Sequence, residues 1–117
     1  MKHPPILLER ILGLPGIGSD GQREVFALLA LGLLDSVETG VLSPADAVEI
    51  FFHIENCRFV EASVQSADAS EVMGRGAQLP DLFDALGPEE ARRECGAEVA
   101  AMRTRCLAML GHDRLVA

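Results

Sequence analysis

At 117 residues the chain is long enough for one domain whose core needs no metal or disulfide, and three cysteines without paired spacing suit a reducing cytoplasm. Its net charge of -8 repels phosphate backbones, and its nine arginines and one lysine are scattered, which disfavours nucleic acid as a partner. Apolar residues make up 49% and aromatics only 4%, all of them Phe, so the core is aliphatic and buried within the fold or against a second copy.

In chain order, a short helix over residues 6–12 (ILLERIL) follows His3-Pro4-Pro5 and stops at Gly13 and Pro15. Glu9 and Arg10 interrupt this apolar run and no small-residue cleavage site follows, so it does not read as a signal peptide despite Lys2. After the loop Leu14-Pro15-Gly16-Ile17-Gly18, Ser19 and Gln22 form a candidate capping box for a central helix that closes at Gly40. Residues 25–34 (VFALLALGLL) carry no charge and are apolar all round. Such a helix must be buried, and the run is too short to span a membrane.

Ser43-Pro44-Ala45-Asp46 is the clearest helix start: Ser43 caps, Pro44 opens the first turn and Asp46 bonds back. This third helix is expected to run to about Ile54, antiparallel to the central one, with Asn56 as its stop. Residues 57–64 (CRFVEASV) fit strand, loop or helix. Asp68 and Glu71 start a fourth, short helix ending around Gly74 to Gly76, followed by one or two turns over residues 79–86. The last helix spans about residues 89–110, with acids in its first turn and arginines near its end. Along it Cys95, Val99, Met102, Cys106 and Met109 form a heptad-like seam, and Gly111 caps it before a tail over 111–117. The fold class is all-α: one domain of four to five helices around a buried central helix.

Chemistry is sparse. Gly16-Ile17-Gly18-Ser19-Asp20-Gly21 matches G-x-G-x-x-G, but the mechanism needs a preceding strand in a βαβ unit, and a helix with proline precedes it instead. Glu49, His53 and Cys57 lie at i, i+4 steps and would share one face of a continuous helix, where they could ligate zinc. No C-x-x-C or H-E-x-x-H supports that site, and Asn56 would end the helix first. Cys95 and Cys106 lie about 16 Å apart by helical rise, too far to pair, so they read as small apolar filling. His112 and Asp113 imply no triad, and Asp81, Asp84, Glu89 and Glu90 are helix-start acids. No reactive group has an activator, so the chain reads as non-enzymatic, with no cofactor and no metal.

Two resemblances add to this. The loop at Gly16 and Gly18, with its flanking helices over about residues 6–34, resembles a helix-hairpin-helix motif, whose glycine-loop N–H groups meet a phosphate in that family. Here Asp20 follows the loop where a basic residue would help, and Gln22 stands where that family has a small Ala. Gly32-Leu33-Leu34, Gly40-Val41-Leu42-Ser43, Asp46-Ala47 and Gly76-Ala77-Gln78-Leu79-Pro80-Asp81-Leu82 together resemble a small uncharacterised bacterial family across most of residues 28–110. That resemblance implies an all-helical fold and brings no activity.

The expected function is a cytoplasmic protein-interaction module, self-associating as a homodimer through Cys95, Val99, Met102, Cys106 and Met109. Alternatives are an acidic inhibitor or immunity-type protein covering a basic partner by charge complementarity, and a nucleic-acid binder through Gly16 and Gly18.

Overall fold

The structure, a computed structural model, describes residues 3–111; the expected tail from residue 112 onward, with His112 and Asp113, lies outside them, as does Lys2. It is all-α. Six helices are described: α1 (Leu8–Leu12), α2 (Ser19–Glu38), α3 (Pro44–Ile50), α4 (Ile54–Ser63), α5 (Ala67–Ala85) and α6 (Pro88–Met109). Among the described residues there is no strand. The most extensive packing is between α5 and α6, with α2 laid against α6 and the short helices α3 and α4 set on α5.

Several local expectations hold. Ser43 accepts from the Asp46 amide at 3.0 Å while the Asp46 carboxylate accepts from the Ser43 amide at 3.2 Å, a complete capping box. Gly40 and Gly111 sit at φ +82° and +69°, the left-handed positions where a Cβ is disfavoured. The seam of α6 forms: Cys95, Val99, Met102 and Cys106 are buried in the one hydrophobic core and Met109 packs against its edge.

Other expectations are corrected. Ser19 makes no capping bond; α2 starts from Gly18, and Gln22 instead donates through Nε2 to the Leu12 carbonyl at 2.9 Å, tying α2 to the end of α1. The central helix is not buried all round. Phe26, Ala27, Ala30, Leu33 and Leu34 face the core, but Leu28 is 59% exposed on the opposite side. Helix α3 packs more extensively on α5 than back along α2.

The third helix ends at Ile50 rather than Ile54. Phe51 and Phe52 would project about 100° apart on a continuing helix, yet both rings enter the core, which the turn at residues 51–53 allows. The rings meet edge-on at 5.2 Å, and Phe51 lies 5.9 Å from Phe26. Residues 57–63 are helical, within α4. Its cap is His53, whose Nδ1 accepts from the Asn56 amide at 3.4 Å. Asn56 is therefore no stop but a buried residue inside α4.

The expected break at Gly74 to Gly76 does not occur, and α5 runs through both glycines and Pro80 as one helix. Packing overrides propensity there: Ala69, Val72, Met73, Gly76 and Leu79 fall at steps of three and four and are all buried. At Gly76 the Phe52 ring packs so close to the helix that it occupies the space a Cβ would need.

Candidate functional site

Three regions carry the residues singled out by the sequence, and one groove joins two of them, Cys95 and Val99, to Phe83 and Arg92, which it gave no role. At the glycine loop, Gly16 has φ +92° and Gly18 caps α2, so the chain turns there between α1 and α2. The nearby cation is committed: Arg23 pairs with Asp20 and donates to the Gln65 carbonyl at 3.2 Å. The loop is followed by α2 but preceded by α1, so the G-x-G-x-x-G match lacks the strand a dinucleotide site needs.

The Glu49, His53 and Cys57 set is dispersed by the break between α3 and α4. His53 is occupied at both ring nitrogens. Since its Nδ1 accepts, its Nε2–H donates to the Ile6 carbonyl, at 3.0 Å. Cys57 turns its thiol to the Phe52 carbonyl, 3.8 Å away. Among the described residues, no group of three or more His, Cys, Asp or Glu could hold a metal ion.

The seam residues Cys95, Val99, Met102 and Cys106 are consumed by the fold itself, on the side of α6 that meets α5 and α2. Their spacing is the signature of helix packing, and the partner helices belong to the same chain. All three thiols are held above the usual range. Burial pushes Cys106 up to about 11, with Asp68 adding to it; burial then Glu98 raise Cys95, and burial then Glu61 raise Cys57.

A pH dependence follows. Cys106 keeps its proton in the folded chain to about 11, whereas the unfolded thiol loses it near 9.0, so folding is favoured below pH 9 and weakens between those values. Urea midpoints are expected to fall from pH 9 to 11 in the native sequence and to fall less in Cys106→Ala, whatever its absolute stability. Equal slopes in the two proteins would remove Cys106 as the cause.

The groove lies where the end of α2, the start of α3, α5 and α6 converge, with a volume of about 430 Å³. Val37, Leu42, Phe83, Cys95 and Val99 supply apolar walls, and Glu38 and Arg92 its charges. Beside it Val41 is 75% exposed, and Phe83 itself 40%. The sequence singled out Cys95 and Val99 only as seam residues and gave no sign of the groove: Phe83 and Arg92 lie on exposed sides of long helices and become neighbours of Leu42 only through the packing of α6 on α2 and α5.

Ion pairs settle a part of the surface charge, both between helices and within them. Arg103 reaches Glu38 at 2.9 Å and Asp35 at 3.9 Å, Arg105 reaches Asp68 at 3.1 Å, and Arg75 bridges Glu71 and Glu98 at 2.8 and 3.0 Å. Acids outside such pairs occur on every helix, among them Glu9, Glu24, Glu49, Glu55, Asp81 and Glu90. That spread weighs against one acidic face built for a basic partner.

Comparisons with protein-family models, curated proteins and solved structures give no match to this chain. No helix among the described residues is long and apolar enough to cross a membrane.

Proposed function

We propose that this protein is a non-enzymatic interaction module that self-associates as a homodimer in the cytoplasm. The supporting observation is the outward side of α6. Opposite the buried seam, Ala97, Ala100, Thr104, Leu107 and Ala108 are exposed and uncharged over three turns, although α6 holds eight charged residues elsewhere. Two copies of a chain at net charge -8 repel, so they meet most favourably where no charge is carried. Small side chains there let two helices approach closely across a two-fold axis, and an exposed apolar face of this kind marks association. The self-interface thus moves from the seam, which the fold buries, to the other side of the same helix. Free thiols at all three cysteines fit a reducing compartment.

Light scattering on a size-exclusion column tests this. The native chain is expected at twice its 12.5 kDa mass, and Ala100→Glu, which places two carboxylates across the axis, at the single mass. A native chain that is monomeric at high concentration ends the proposal. A dimer that survives Ala100→Glu moves the interface elsewhere.

A further inference from the structure

The groove between α2, α3, α5 and α6 has an electrostatic imbalance that the self-association reading leaves unused. Its volume of about 430 Å³ is within the roughly 300–1,000 Å³ typical of small-molecule sites. Of its two charged residues, Glu38 is neutralised by Arg103 at 2.9 Å. Arg92 makes no ion pair with any described residue. The groove therefore presents one free guanidinium at the edge of apolar walls made by Val37, Leu42, Phe83 and Val99.

We propose that this groove binds a free, singly charged apolar carboxylate, its tail along those walls and its acid group on Arg92. The charge count selects this class. A cationic amphiphile is repelled by Arg92, and a neutral one offers the guanidinium only an uncharged acceptor, a weaker partner than a carboxylate. A dianion such as a phosphate monoester brings a second charge that no free cation of the lining matches, since Arg103 is already held by Glu38. A carboxylate matches the planar fork of an arginine with two parallel hydrogen bonds.

Sodium decanoate, kept below its micelle concentration, is the probe, with decanol and decylamine as controls. Amide resonances of Gly40 and Gly96, both in the groove lining, report occupancy in an NMR titration of the full chain. Saturable shifts at these glycines are expected with decanoate. Arg92→Ala weakens binding by about tenfold or more, as loss of a charge-assisted pair does, while Arg93→Ala, on the next exposed position, leaves it unchanged. Alkylation of Cys95, read by peptide mass spectrometry, slows with decanoate while that of Cys57 does not. Shifts absent or confined to other residues, equal binding of decanol or decylamine, or equal effects of the two arginine variants would each overturn the proposal. Native mass under the same conditions is read separately, so monomeric behaviour would sink the self-association reading and leave this one standing.

Discussion

Replacing Asn56 with alanine is expected to destabilise the chain by about 3–4 kcal/mol, the cost of orphaning two buried backbone groups. Asn56 is 1% exposed, and each of its polar atoms is used. Its Oδ1 accepts from the Leu8 amide at 3.0 Å, and its Nδ2 donates to the carbonyls of Ile6 at 2.9 Å and Phe51 at 2.8 Å. Leu7, at the start of α1, has no capping side chain, so Asn56 caps that helix from another part of the chain. Removing it strips the Leu8 N–H and the Phe51 carbonyl of their partner, while Ile6 keeps the His53 Nε2–H. Asn56→Asp restores the acceptor for Leu8 but turns a carboxylate toward two carbonyl oxygens, so it is expected to fare no better than alanine. Urea unfolding of both variants checks this. A loss below about 1 kcal/mol for Asn56→Ala would mean that water replaces the amide and the knot is dispensable.

Gly76→Ala is the second large effect, expected at about 2 kcal/mol of destabilisation even though alanine is the better helix former by about 1 kcal/mol. A Cβ at Gly76 would meet Cδ1, Cε1 and Cγ of Phe52 far inside contact distance. The ring has little room to retreat, since Phe52 is buried and stands edge-on to Phe51. Gly74, two residues earlier on the same helix, has open space around its Cα, so Gly74→Ala is expected to stabilise by up to about 1 kcal/mol. Opposite signs at the two glycines separate sterics from propensity. Phe52→Leu combined with Gly76→Ala should lose less than the sum of the single changes, because the smaller side chain vacates the collision. Strict additivity would falsify the assigned cause.

What the sequence made legible, and what it hid, divide along a physical line. Features written in neighbouring residues were readable: the Ser43–Asp46 box, the turn at Gly40, the stripe from Cys95 to Cys106 and the all-α class itself. Features set by residues distant in the chain were not. Gly74, Gly76 and Pro80 read locally as a break, and only the burial of Val72, Met73 and Leu79 against other helices holds α5 together. Asn56 reads as a helix stop, and its role depends on Ile6 and Leu8, which the sequence places far away. The uncharged run in α2 promised complete burial, whereas the surrounding helices cover only one side of it and leave Leu28 in water. The groove is of the same kind, since Arg92 and Leu42 become neighbours only after α6 packs.

The Asn56 knot also bears on the order in which the chain assembles. Its bonds to Leu8 and Ile6 span sequence separations of 48 and 50, while α5 and α6, the most extensively packed pair, are joined by a turn of two residues at Leu86 and Gly87. Closing a long loop costs entropy before its contacts return anything, so the hairpin of α5 and α6 can nucleate first and the N-terminal segment docks late. Interactions that form after the folding barrier hold the native state by slowing its escape. Asn56 is thus less an architect of the fold than its latch: the chain finds its shape without that side chain and, lacking it, leaves that shape sooner.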